Sequence, residues 1–115
     1  MNEVERQRQL ILDALTSNLS NVVSMPDGVA NRLRMDGFQP DWAIRLVREW
    51  ARQGGQIELA QPDGENSRIA FENLFDTVVP VAHLPYGMYF KMGLWQGDEA
   101  LIVSCHEANR PQRLA

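Results

Sequence analysis

The chain has one cysteine, one lysine and two histidines in 115 residues. Each scarcity excludes something. A single thiol, Cys105, cannot form an intramolecular disulfide, and no metal-ligand spacing surrounds it. No apolar run approaches the ~20 residues that a membrane-spanning helix needs. The N-terminus, Met1-Asn-Glu-Val-Glu-Arg-Gln-Arg8, is mixed in charge and lacks the apolar stretch of a signal peptide. A cytoplasmic protein with no membrane association, metal or cofactor is therefore expected. A basic surplus is also missing. The net charge is −4: residues 1–55 balance seven arginines against seven carboxylates, and residues 56–115 set four basic against eight acidic side chains. Strong non-specific nucleic-acid binding draws on a basic excess, so this composition weighs against it unless arginines gather locally. Ten of the eleven basic residues are arginine, the side chain suited to bidentate phosphate or carboxylate contacts.

What is present is the composition of one globular domain, 44% hydrophobic and 23% charged. Leu12, Leu15 and Leu19 recur at helical spacing, with Ile11 and Ala14 widening the stripe, and predict a helix over 3–19. Asn21–Met25 is a short strand candidate. A second helix is expected over 28–35, ended by Gly37. A third runs over 40–53, with Pro40 in its first turn, Asp41 at its positive end and Gly54-Gly55 as a stop. Its apolar stripe is Ala43, Leu46, Val47 and Trp50; Arg45, Arg48 and Arg52 form a second stripe. Beyond Gly55 the period becomes two. Gln56–Ala60 and Arg68–Phe71 read as strands about a Pro62-Asp63-Gly64 turn, while Asn73–Val81 is ambiguous, with Thr77-Val78-Val79 favouring strand.

The last third is the most patterned. Gly87-Met-Tyr-Phe-Lys91-Met-Gly-Leu-Trp95, a polar turn, and Ala100-Leu-Ile-Val-Ser-Cys-His106 read as a hairpin. Met88, Phe90, Met92 and Leu94 point to one side, Tyr89, Lys91 and Trp95 to the other. On the return strand Leu101, Val103 and Cys105 are expected to alternate with Ile102, Ser104 and His106. Helices at one end and strands at the other mean an α+β fold: three N-terminal helices packed on a twisted antiparallel sheet of about four strands, in one domain over 1–115.

Two architectures fit this order. In a winged helix, residues 40–53 form a DNA-recognition helix with Arg45, Arg48 and Arg52 outward, and residues 61–67 form the wing. The plain alternative for those arginines is a solvated helix face. The other architecture uses the whole chain. Met88-Tyr-Phe-Lys91 and Leu101-Ile-Val-Ser-Cys-His106-Glu resemble the C-terminal strands of MqsR-like toxins of bacterial toxin–antitoxin systems. Arg34-Met-Asp36-Gly-Phe38 resembles that family's turn between helices, and Ile69–Asn73 stands where the family has a strand carrying Trp-Gln. The resemblance implies a RelE-type fold and a metal-independent endoribonuclease that cleaves messenger RNA, with an antitoxin or other protein as partner. It implies that Tyr89, Lys91 and His106 are catalytic and that Arg52, with Arg48 beside it, meets the substrate. Glu72 departs from the family's glutamine, and the acidic balance departs from its usual basic one. A non-catalytic interaction domain, such as an immunity or accessory protein, is the alternative suited to an acidic C-terminal half. Tyr89 and Trp95 are also ordinary strand residues, Lys91 an ordinary solubilising one, His106 an ordinary surface residue, His83 a structural one, and Cys105 a buried thiol.

Overall fold

The computed structural model describes residues 2–61 and 71–109. Helix α1 (Glu3–Thr16) opens on Asn2, whose side chain accepts from the Glu5 backbone N–H at 2.8 Å. Glu3 and Glu5 sit at its positive dipole end. Hydrogen bonds from Arg6 and then Gln7 hold the Glu3 carboxyl down to about 2. The helix stops three residues before Leu19, because Ser17 turns extended. A single 3-10 turn (Ser20–Val22) leads into β1 (Val23–Ser24), and α2 (Asp27–Met35) and α3 (Pro40–Arg52) follow. The strands are β2 (Glu58–Leu59), β3 (Leu74–Val81), β4 (Leu84–Trp95) and β5 (Glu99–Glu107).

The α+β class and the order of helices before sheet hold. The strand count and the pairing are corrected. The described strands form one five-stranded sheet in the order β1-β5-β4-β3-β2. It is mixed: β1 lies parallel to β5 through Val23↔Ala100 and Ser24↔Leu101, and the other pairs are antiparallel. The extra strand is the short segment after α1, whose two residues find the free edge of β5. The ambiguous segment is a full strand that runs through Pro80. Beyond Asp76 no described strand pairs with β3's outer edge, and proline is tolerated on a free edge. β2 pairs with β3 (Glu58↔Asp76, Leu59↔Phe75), and β3 continues the sheet into the C-terminal strands through β4. The strand expected over 68–71 and the wing over 61–67 fall outside the described residues except for Phe71, which is not in a strand, and Gln61.

The helices cover one sheet face. Ile11, Leu15, Leu33 and Val47 meet Phe75, Met88, Phe90, Met92 and Ile102, all with no exposed area. Burying each such side chain contributes roughly 1.5–3 kcal/mol. The alternation of β4 is as expected, but that of β5 is not. Lys91 pairs with Ser104 and Met92 with Ile102, so Val103 is an extra residue in a β-bulge. Ala100, Ile102 and Cys105 therefore face the helices, and Leu101, Ser104 and His106 face away. Ile102 thus parts from Ser104 and His106.

A second irregularity joins β3 to β4. Val81 pairs with Leu84, but Val79 pairs with Met88, so Pro85–Gly87 bulge outward. Gly87 has φ +79°, and a Cβ there would lie 2.5 Å from the Val79 carbonyl oxygen. The Gly87 carbonyl accepts from Ala108 N–H at 2.9 Å, which fixes the residue that follows β5. Gly87→Ala is expected to lower unfolding free energy by about 2–4 kcal/mol, from left-handed strain plus the clash. Urea denaturation measures it, and an unchanged midpoint would refute this account of the bulge.

Candidate functional site

The sheet face turned away from the helices collects most of the residues singled out in the sequence. Strand alternation brings Tyr89 and Lys91 of β4 onto it. The β5 bulge brings Ser104 and His106 beside them, through Lys91↔Ser104 and Tyr89↔His106. From β3 comes Asp76, opposite Lys91, with Glu58 of β2 beyond it. The Tyr89 hydroxyl donates to Asp76 Oδ2 at 3.1 Å. The Tyr89 and His106 rings lie 5.1 Å apart, tilted by 34°. His106 Nδ1 is 3.0 Å from the Glu107 carbonyl oxygen, which can only accept. Nδ1 therefore carries a proton, and in the neutral ring the lone pair is on Nε2. Tyr89 and Lys91 are 9% and 8% exposed, whereas His106 is exposed.

One end of this face is closed by aromatic packing. Phe71 lies over Gly93, where a Cβ would come within 2.5 Å of its ring, and meets Trp95 at 5.9 Å between centroids. Glu72 is directed elsewhere. It accepts from Gln7 of α1 at 2.8 Å, and Asn73 donates to the same Gln7 side chain at 3.2 Å. The carboxylate that departs from the family's glutamine is thus tied to the helical layer.

The two arginines expected to meet substrate are in the helical layer as well. Arg48 is not on an outer stripe: it is 8% exposed and donates to the carbonyls of Ala14, Leu15, Ser17 and Leu19. The last carbonyls of a helix have no partner within it, and the last turn of α1 holds no basic residue. Arg48 supplies that cation from α3. Burial first, then the charge of Arg52, lowers its pKa from the usual arginine value. Arg52 donates to Ser17 O at 3.2 Å and lies 3.9 Å from Glu49. Neither is brought together with Tyr89, Lys91 and His106.

Two concavities flank the face. One, of about 710 Å³, runs along the edge of β3 and is lined by Glu58 and Asp76 together with Trp50, Val78, Val81 and Tyr86 among others. The other, of about 490 Å³, lies between α2 and β5 and is lined by Arg32, Asp36, Ser104 and His106 among others. Asp76, Ser104 and Arg32 were not singled out in the sequence. Asp76 sits in the ambiguous segment, where no face could be assigned. Ser104 needed only its place two residues before His106. His83 is exposed in the β3–β4 turn, away from these groups. Among the described residues no cluster of three or more His, Cys, Asp or Glu could hold a metal ion, and no helix is long and apolar enough to cross a membrane. No family model matches the chain, and no curated protein or solved structure matches it.

Arg48→Met is expected to lower unfolding free energy by about 2–4 kcal/mol, because it strands buried carbonyls. Arg48→Lys should recover part of that loss. A methionine variant as stable as wild type in urea would remove the capping role. Cys105 gives a second expectation. Burial pushes its thiol up to about 12, so the native thiol keeps its proton at pH 8–9. Iodoacetamide should label it only as fast as the protein unfolds; rapid labelling of folded protein would contradict that.

Proposed function

We propose that the face carrying Tyr89, Lys91, Ser104 and His106 is the active site of a metal-independent endoribonuclease, the toxin of a toxin–antitoxin pair. The observation that carries this reading is the convergence of three chemically distinct groups on the sheet face the helices leave clear. The exposed His106, with its lone pair on Nε2, takes the proton of a ribose 2′-OH. The 2′-oxygen attacks the adjacent phosphorus, and the bond from phosphorus to the 5′-oxygen breaks. Lys91 offsets the charge that builds on the phosphorane. Tyr89, positioned by Asp76, protonates the departing 5′-oxygen. The products are a 2′,3′-cyclic phosphate and a 5′-hydroxyl, and solvent restores both protonation states. The resemblance of residues 87–107 to MqsR-like toxins supports the same assignment.

A second reading, a protein-interaction domain without catalysis, draws on a different observation. The groove along β3 is lined largely by apolar residues, with an exposed Tyr86 and two carboxylates among them, which is how a partner surface rather than a phosphate site is built. The readings part on one assay. Purified protein incubated with messenger RNA in chelator should yield fragments with cyclic-phosphate ends. Tyr89→Phe and Lys91→Ala should each slow cleavage by about 10²–10³-fold, the range of a single acid–base or electrostatic group. Intact RNA with folded wild-type protein would sink the ribonuclease and leave the interaction domain.

A further inference from the structure

We infer that the cleft between α2 and the free edge of β5 binds a backbone phosphodiester of single-stranded RNA, held by Arg32 and Ser104 beside His106. This inference rests on the ribonuclease reading and extends its site. The cleft is about 490 Å³ and shares His106 and Ser104 with the catalytic face. Residues 28, 29 and 32 of α2, with its C-cap Asp36, line it, which is one side of a helix. Arg32 is therefore on the helix side turned towards β5.

What singles out Arg32 is that its charge is not engaged. Arg6 is paired with Glu3, Arg8 donates to a backbone carbonyl, Arg34 to Asn31, and Arg48 and Arg52 to the end of α1. Of the described arginines only Arg32 and Arg45 have no hydrogen bond or ion pair, and only Arg32 lines a concavity. The Ser104 hydroxyl and His106 Nε2 are likewise without a hydrogen-bond partner. A guanidinium fork and a hydroxyl beside one cleft are donors that phosphate oxygens take, and the neutral His106, whose Nε2 only accepts, stays free to act as the base. Asp36 also lines the cleft. One arginine against one aspartate suits the single charge of a phosphodiester better than a terminal phosphate, which carries about −1.5 to −2. Because His106 belongs to both surfaces, a strand held here enters the catalytic face with a phosphate already fixed.

The test is fluorescence anisotropy with a 2′-deoxy, uncleavable oligonucleotide across a salt series. Wild type is compared with Arg32→Gln and with Arg45→Gln, the matched exposed control. Arg32→Gln should weaken binding about tenfold and lower the slope of log K against log salt by about 0.7, one phosphate contact on a single strand. Arg45→Gln should change neither. Inorganic phosphate should compete poorly. Equal behaviour of the two variants, or strong competition by inorganic phosphate, overturns the inference even if wild type cleaves RNA. Arg32-dependent binding without any cleavage supports the cleft and overturns the catalytic reading. No binding and no cleavage overturns both.

Discussion

One extra residue in β5 decides what each face of the sheet presents. With Val103 bulged, Ile102 pairs with Met92 and Ser104 with Lys91. Ala100 and Ile102 then join Met88, Phe90 and Met92 under the helices, and Ser104 and His106 join Tyr89 and Lys91 outside. A strand of strict period two cannot do both. If the bulge were removed while Cys105 stayed under the helices, Ile102 would point outward and the core would lose a fully buried side chain. If Ile102 stayed inside, Ser104 and His106 would be driven into the apolar layer. The bulge thus joins the packing of the core to the composition of the outer face.

The helical layer depends on a comparable compromise. α1 ends in polar residues with no cation of its own, and α3 lies beside that end. Arg48 bridges them by donating to four carbonyls at once. A buried guanidinium carries a desolvation penalty, and satisfying several acceptors offsets it. Trp50 does the equivalent work at the sheet: its indole N–H donates to Thr77, whose hydroxyl donates to the Gln56 carbonyl at 2.6 Å. That chain fixes where β2 meets β3, and with it the edge from which Asp76 and Glu58 project.

The sequence made some of this visible and concealed the rest for definite reasons. Three helices were legible because their apolar spacing and their stops are strong. The division of β4 into Met88, Phe90, Met92 and Tyr89, Lys91 followed from plain alternation. The β5 division did not, since Leu101-Ile-Val103 is apolar throughout and shows no sign of where the register slips. β1 falls within the short strand candidate over 21–25, but its parallel pairing with β5 is non-local and a local pattern cannot reveal it. Arg48 lies at the same spacing as Arg45 and Arg52, so periodicity placed all three on one solvated stripe. Its true role is set by the end of α1, 31 residues away. Of the candidate site, Tyr89, Lys91 and His106 were legible as residues on strands, but their convergence depends on the bulge.

Net charge is a poor guide to such a surface because it counts charges without asking which are engaged. The chain is acidic overall, yet Glu3 is held by Arg6, Glu72 by Gln7, and Asp76 accepts from Tyr89. Most described arginines are also engaged, three of them on backbone carbonyls where they contribute to folding rather than to an external field. What a ligand meets is the remainder, and its location matters more than its sum. Along the β5 edge that remainder is Arg32, with Ser104 and His106 beside it. Along the β3 edge a ligand meets an apolar groove whose two carboxylates, Glu58 and Asp76, are already engaged. The two margins of one sheet face therefore present opposite chemistry, and the row Asp76–Lys91–Ser104 runs between them. An anionic strand and a protein partner would favour opposite margins, so a chain with a negative total can offer an anion site and a partner groove on the same face.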